Sequence, residues 1–135
     1  MFNTETQEWS QGPSLKEKRY GHSCFYDDQT SSIFVVGGSN GNTLATTEQW
    51  RLDTNQWIST PDLPEPLYNF AGVASKSSRF VGFVAGGYNM YAGRTNKVLG
   101  LRRSDLVWEV MPQQLKIARW RHSMVNVPAD QIPGC

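Results

Sequence analysis

Two histidines, each followed by a serine, are the first residues that could do chemistry. His22-Ser23 and His122-Ser123 both occur in an Arg-x-x-His-Ser pattern, 100 residues apart. A histidine can activate a serine nucleophile only when the two side chains meet in a hydrogen bond. Adjacent side chains on a strand point to opposite faces, so neither pair can form that bond by itself. We expect both histidines to be structural, with their ring nitrogens bonded to backbone or to neighbouring polar groups.

Other patterns that could support catalysis or metal binding are also weak. Asp27-Asp28, followed by Gln29-Thr30, is typical of a turn rather than of paired catalytic carboxylates. A zinc site would need a compact set of His and Cys ligands, which the sequence does not show. No phosphate-binding glycine loop occurs, since no Lys follows Gly37-Gly38. We therefore expect a protein that is not an enzyme, with no catalytic residue, no cofactor and no metal.

Charge gives limited information about partners. The formal charge of +1 over 135 residues gives no global reason to expect nucleic acid or an anionic membrane. Residues 1–75 carry four basic and nine acidic side chains, whereas residues 76–135 carry nine basic and three acidic ones. This asymmetry fits ordinary solvated surface, with a partner face as the alternative.

Composition also bears on location. No apolar run approaches the roughly 18–20 residues that a membrane span needs, and the N-terminal residues lack the basic and apolar regions of a signal peptide. Cys24 and Cys135 make no disulfide framework, and Cys24 is expected to be a small core residue. These features favour a cytoplasmic location.

A short apolar run that stops on two glycines organises the chain. Residues 33–38 (IFVVGG) return as residues 81–87 (VGFVAGG), which places Gly37 and Gly86 49 positions apart. Such a run predicts a buried strand that turns abruptly. Three tryptophans, each preceded seven positions earlier by a large apolar residue, step by 48 and 51 residues: Trp9, Trp57 and Trp108. A period near 50 residues indicates a repeat array.

Each repeat is predicted to contain four short strands. The first complete unit has strands at residues 19–26, 33–38 and 46–52 and one starting at 57, and the second at 67–75, 80–87, 97–102 and 107–110. Residues 88–94 form a loop in this prediction, and a third unit begins with a strand at 115–123 and runs to about residue 127. Helix should be scarce, because no segment shows a sustained 3.6-residue apolar stripe. Four strands that meander through hairpins predict one blade of a β-propeller.

The ordered set of motifs resembles the kelch repeat family. The resemblance is carried by Arg19 and His22, Gly37-Gly38, and Trp50 with Trp57; Gly86-Gly87 and Trp108 carry a second copy, flanked by Trp9 and by Arg119 with His122. The second unit departs from the pattern, with Leu67 and Phe70 in place of the Arg–His pair. The resemblance implies an all-β fold of kelch-type β-propeller blades, each a four-stranded antiparallel meander.

The length of the chain predicts an incomplete, open arc of roughly three blades. Residues 1–11 are expected to end a preceding blade, residues 12–60 and 61–111 to form two kelch repeats, and residues 112–135 to start a further one. Because propellers close with about 4–8 blades, we expect a fragment of a longer kelch protein. The uncovered edges would meet the remaining blades of the parent chain or self-associate. A six-bladed ring of two chains is an alternative.

From the net charge we expect no nucleic acid and no membrane partner. The resemblance also implies a non-catalytic protein–protein interaction module with a protein partner of unknown identity. It would serve as the substrate-recruiting part of a ubiquitin-ligase adaptor or as an actin-associated cytoskeletal scaffold. The alternatives are a kelch-type propeller enzyme and a carbohydrate-binding propeller whose active residues lie outside this chain.

Partners of kelch-like propellers dock on the loops that follow the Gly-Gly strands and the loops that enter the first strands. The residues expected to bind a partner are therefore Arg19, Ser39, Asn40, Tyr88, Asn89, Tyr91, Arg94 and Arg119. Arginine and tyrosine suit such a surface, because one offers bidentate hydrogen bonds and the other rigid contact area. For Arg19 and Arg119 the alternative is that they only brace the blades, and for Tyr88 and Tyr91 that they are exposed without a partner.

Overall fold

The computed structural model of the chain describes residues 1–127 and 131, and residues 1–127 contain strands and turns but no helix. The all-β prediction is confirmed. The strands are β1 (Phe2–Asn3), β2 (Glu8–Trp9), β3 (Ser23–Asp27), β4 (Ser32–Val36), β5 (Thr47–Arg51), β6 (Gln56–Thr60), β7 (Ala71–Ala74), β8 (Phe80–Ala85), β9 (Tyr88–Asn89), β10 (Gly93–Arg94), β11 (Val98–Arg102) and β12 (Trp108–Val110).

Two four-stranded antiparallel sheets dominate the structure. The first blade has the order β3-β4-β5-β6, and the second blade has the order β7-β8-β11-β12. The organising apolar runs are the second strand of each blade, β4 and β8, as predicted. Ahead of the first blade, β1 and β2 form a hairpin in which Phe2 lies opposite Trp9, as Trp50 lies opposite Trp57 in the last two strands of the first blade. The described residues thus form an open, incomplete arc of propeller blades.

Several details of the strand prediction are wrong. Residues 112–127 contain no strand, because among the described residues they make only single backbone hydrogen bonds to neighbouring segments and no continuous ladder. Residues 88–94 are not a simple loop but contain the β9–β10 hairpin. The strand expected to begin at residue 19 begins at Ser23, preceded by an isolated bridge between Tyr20 and Ser39. Cys24 is exposed rather than buried, because it lies on the face of β3 opposite to Phe25.

The hydrophobic core lies at the seam between the two blades. Phe25, Phe34 and Val36 of the first blade pack with residues of the second blade that include Val84, Leu99, Leu101 and Trp108. Gly82 allows this close approach, because a Cβ atom there would lie 2.7 Å from the Phe25 ring. Across the same seam, the indole N–H of Trp108 donates a hydrogen bond to Thr47 Oγ1 at 3.2 Å. The core therefore belongs to both blades together.

A repeated backbone feature holds the three units in register. Gly21, Asn69 and Arg121 all have a positive φ, of 60°, 54° and 56°. The Asn69 N–H donates to Gly21 O, and the Arg121 N–H donates to Asn69 O, both at 2.7 Å. These bonds pass from unit to unit. Although the third unit has no strand among the described residues, its backbone at residues 119–121 repeats the hydrogen bonds of the second unit.

Candidate interaction face

The loops after the two Gly-Gly pairs and the loops that enter the first strands meet at one end of the blades, which we call the loop face. Two backbone hydrogen bonds of 2.8 Å join them, from the Gly38 N–H to Leu67 O and from the Gly87 N–H to Arg119 O. Isolated bridges between Tyr20 and Ser39 and between Tyr68 and Tyr88 add to this framework. All eight residues that the sequence nominated for partner binding lie in these loops.

Arg19 is enclosed within the first blade. Its side chain has 0% exposure, and its Nη2 lies 2.6 Å from Oε1 of Glu48, which is itself 3% exposed. The guanidinium also donates to the carbonyl oxygens of Gly37 (2.7 Å) and Thr46 (3.0 Å) and to Thr46 Oγ1 (3.0 Å). Through these contacts Arg19 braces the first blade, which is the alternative that the sequence left open. Little of the guanidinium is free for a partner.

Ser39 and Asn40 follow the first Gly-Gly pair but differ in accessibility. Ser39 is 5% exposed, and its hydroxyl donates to the Tyr20 hydroxyl at 3.2 Å. Asn40 is exposed and donates from its side-chain amide to Glu17 Oε1 at 2.8 Å. Together with Arg19 and Tyr20 they line a shallow cleft of about 320 Å³. On this half of the loop face, Asn40 and Tyr20 offer the accessible polar and aromatic groups.

The β9–β10 hairpin presents the nominated residues of the second blade. Asn89, 7% exposed, builds the turn: its side-chain oxygen accepts hydrogen bonds from the Tyr91 and Ala92 N–H groups, and its side-chain nitrogen donates to Pro66 O. Tyr91, 88% exposed, stands at the tip. Arg94 is exposed, pairs in register with Tyr88, and has no ion pair within the described part of the chain. The hairpin therefore projects an aromatic ring and a cation, while Asn89 shapes it.

An aromatic cluster links this hairpin to the third unit. The rings of Tyr68, Tyr88 and Trp120 lie with their centroids 5.2–6.3 Å apart, in tilted and edge-to-face arrangements. The Arg121 guanidinium stacks over the Trp120 ring at 4.5 Å. Arg119 is also exposed, and its Nε donates to Ile117 O at 3.3 Å. We call Tyr68, Tyr88, Trp120 and Arg121 the aromatic patch.

Of the aromatic patch, only Tyr88 was nominated from the sequence. A signal for two others was nonetheless present, because an aromatic residue directly follows the Arg19 position in every unit: Tyr20, Tyr68 and Trp120. The three residues that come next, Gly21, Asn69 and Arg121, are those with the repeated positive φ. Reading the repeat at this position would have found Tyr68 and Trp120 as well as Tyr20.

Of the two histidines, His122 is half-buried and departs from expectation. Both ring nitrogens of His122 are buried and have no hydrogen-bond partner among the described residues, so the predicted polar contacts are wrong for this ring. Burial and the nearby Arg119 charge lower the pKa of His122, and burial and the Arg19 charge lower the pKa of His22. At neutral pH both rings are therefore in the neutral form in the folded chain.

We expect His122→Phe to stabilise the chain and to reduce its sensitivity to mild acid. Because the folded state lowers the histidine pKa, the unfolded chain takes up protons first as the pH falls below about 6.5, and stability drops. Phenylalanine already occupies this position in the second unit as Phe70. Removing two unpaired buried nitrogens should add about 1 kcal/mol at pH 7. Urea unfolding from pH 7.5 to 5 measures both effects. A variant less stable than the parent at pH 7.5 would contradict the first effect, and one that loses stability as steeply as the parent towards pH 5 would contradict the second.

Residues 1–127 and 131 contain no group of three or more His, Cys, Asp or Glu side chains that could hold a metal ion. No helix in the same residues is long and apolar enough to cross a membrane.

Two meandering four-stranded blades at a period near 50 residues, with loops gathered at one end, define a propeller repeat protein. The family model of the Kelch motif matches residues 30–64, from the turn before β4 to the loop after β6. The chain belongs to the kelch repeat family.

Curated relatives agree with this assignment. The chain is 27% identical over 98% of its length to a RING finger domain and kelch repeat-containing protein of Dictyostelium discoideum. It is 30% identical over 93% of its length to Kelch-like protein 36 of Rattus norvegicus, and 32% identical over 64% of its length to Beta-scruin of Limulus polyphemus. It spans 13%, 20% and 9% of the lengths of these three relatives, respectively.

Proposed function

We propose that this chain is part of a non-catalytic protein-recognition module whose partner docks on the loop face of the second blade. The observation that carries the proposal is the aromatic patch beside the β9–β10 hairpin. Tyrosine and tryptophan rings held by each other give a rigid contact surface at little entropic cost, and such residues dominate binding energy at protein interfaces. The proposed division into kelch repeats at residues 12–60 and 61–111 places this patch where the second and third units meet.

The charges around the aromatic patch suit a partner segment that carries carboxylates. Arg94, Arg119 and Arg121 are exposed there, and none of them has an ion pair among the described residues. Lys97 of the same region is already paired with Glu65 at 2.9 Å. Because guanidinium groups bind carboxylates in bidentate geometry, we propose a partner segment with an apolar anchor flanked by acidic residues.

The test is selection of peptides from a random displayed library on the whole chain, followed by calorimetric titration of the enriched peptides. The loop-face variant combines Tyr88→Ala, Tyr91→Ala and Arg94→Ala, and we expect it to weaken binding about tenfold or more. The control variant combines Tyr26→Ala, Arg51→Ala and Ile58→Ala, which are exposed residues outside the loop face, and should change affinity less than about twofold. Equal losses in both variants, or no enriched peptide, would overturn the assignment.

Two finer roles are proposed for the protein that contains this chain, a substrate-recruiting ubiquitin-ligase adaptor and an actin-associated scaffold, both in the cytoplasm. The relatives include one with a RING finger domain, a Kelch-like protein and a scruin, so they do not favour one role over the other. Co-sedimentation of the whole chain with actin filaments separates the roles. Saturable pelleting that the loop-face variant lacks would favour the scaffold, and absence of pelleting would favour the adaptor.

A further inference from the structure

A second cleft lies at the end of the blades opposite to the loop face. There the turn that follows β3 meets the turn between β11 and β12, and the space between them is about 370 Å³. Its lining comes from both blades and includes Asp27, Phe34, Gln49, Val81, Arg103 and Leu106. Small-molecule sites in proteins occupy about 300–1,000 Å³ and combine an apolar lining with a few fixed polar groups. We call this space the seam cleft.

One wall of the seam cleft is the ion pair between Asp27 of the first blade and Arg103 of the second. The two charges cancel. Asp27, 1% exposed, accepts hydrogen bonds from Arg103 Nη1 at 2.8 Å and Nη2 at 3.1 Å, and from the Thr30 hydroxyl at 2.6 Å. Burial opposes the charged carboxylate, but the hydrogen bonds from Arg103 and Thr30 outweigh it and lower the Asp27 pKa. At the rim, Arg102 and Asp105 form another ion pair at 2.6 Å. The cleft therefore has paired charges and no net charge to attract an ion.

The rest of the polar wall comes from Gln49. This side chain is 7% exposed, and its Nε2 donates to Ser32 Oγ at 2.9 Å. Ser32 Oγ in turn donates to Thr30 O at 3.0 Å. A strand residue that faces the core is normally apolar, as Phe34 opposite Gln49 is. Gln49 is thus a polar amide at a core-facing position where packing alone would favour an apolar side chain.

The internal repeat shows that the blade does not need these polar groups. By strand register, the second blade has Ser75, Val81 and Gly100 where the first has Asp27, Ser32 and Gln49. Arg103 likewise corresponds to Leu52, five residues before Trp57 as Arg103 is before Trp108. The Asp27–Arg103 ion pair would be enough to join the two blades at the seam. Neither Gln49 nor an open cleft is required for that purpose.

We propose that the seam cleft binds a small neutral molecule with a flat apolar part and an amide or hydroxyl group. Phe34, Val81 and Leu106 provide the apolar contacts, and Gln49 with the Asp27–Arg103 pair provides hydrogen-bonding groups. A charged ligand is disfavoured, because the Asp27 and Arg103 charges already pair with each other and a further ion there would be desolvated without a counter-charge. This site is separate from the loop face and does not depend on the function proposed for it.

The probes are benzamide, which is neutral, and its charged counterparts benzoate and benzamidine, titrated into the ¹⁵N-labelled whole chain. We expect benzamide to shift the amide signals of residues 27–31 and 103–106 saturably, with a dissociation constant on the order of 1 mM for so small a probe. The charged probes should shift the same signals at least about threefold less at equal concentration, for lack of an unpaired charge to bind.

Substitution at the rim makes the site assignment falsifiable without disturbing the core. Ser104→Trp places a large ring at an exposed lining residue and should abolish the benzamide shifts. Thr54→Trp, in the corresponding exposed turn of the first blade, should leave them unchanged. Shifts that persist in Ser104→Trp, map elsewhere or are absent in the parent chain would overturn the site. Tighter binding of benzoate or benzamidine would overturn the neutral ligand class.

Discussion

Replacing Arg19 with alanine is expected to lower the free energy of unfolding by about 3–5 kcal/mol. The substitution leaves the Glu48 carboxylate, 3% exposed, enclosed without its cation. It also removes the donor to the carbonyl oxygens of Gly37 and Thr46. An uncompensated buried charge costs more than the intact ion pair contributes. Urea unfolding followed by tryptophan fluorescence measures the change.

Arg51→Ala is the matched control for this prediction. Arg51 also forms an ion pair, with Asp53 at 2.8 Å, but the two side chains are 47% and 55% exposed. Exposed pairs contribute at most about 1 kcal/mol, so this variant should stay close to the parent chain. A similar loss of stability in both variants would mean that enclosure of the Arg19–Glu48 pair has no energetic consequence.

The internal repeat supplies a sharper test of the same pair. The second blade carries Leu67 at the Arg19 position and Leu99 at the Glu48 position, and both leucines are 1% exposed. The double variant Arg19→Leu, Glu48→Leu introduces the same two leucines into the first blade. Exchanging a buried ion pair for apolar residues often leaves stability unchanged. We expect it to recover most of the stability that Arg19→Ala loses. Recovery should be partial, because the Lys16 and Glu17 N–H groups lose Glu48 as their acceptor.

The fold could be predicted because the same residue pattern occurs in more than one unit of the sequence. Gly37-Gly38 and Gly86-Gly87 mark the ends of equivalent strands, and Trp57 and Trp108 mark the fourth strands. A turn or strand assignment that is ambiguous in one copy is supported by the other. The third unit was the exception, because its apolar residues alone cannot form a strand without a hydrogen-bonding neighbour.

Two contacts near the candidate sites, Arg19–Glu48 and Asp27–Arg103, were harder to predict, because each joins residues that the repeat does not relate. Arg19 meets Glu48, and Asp27 meets Arg103 76 positions away, yet neither pair has a counterpart in the other blade. When a residue is not repeated, a single sequence does not indicate which other residue its side chain contacts. The sequence could therefore nominate Arg19 but could not decide between bracing and binding. It assigned Asp27 to a turn without its cross-seam contact.

Replacing Trp108 with alanine is expected to cost about 3–5 kcal/mol of unfolding free energy. The side chain is 6% exposed, packs in the core shared by both blades, and lies opposite Leu101, which is fully buried. Its indole N–H is also the donor to Thr47 Oγ1 across the seam. Since small domains have about 5–15 kcal/mol in total, the loss is a large share of the stability. Calorimetry and urea unfolding measure it.

Trp9→Ala is the control, because Trp9 holds the same position in the repeat but is 80% exposed. Its loss should change stability by about 0.5 kcal/mol or less. Trp108→Phe should fall between the two, since the ring still fills the seam but Thr47 loses its donor. If the seam joins the blades into one unit, Trp108→Ala should shift a single unfolding transition rather than split it. Equal effects of Trp108→Ala and Trp9→Ala would contradict a core shared between the blades.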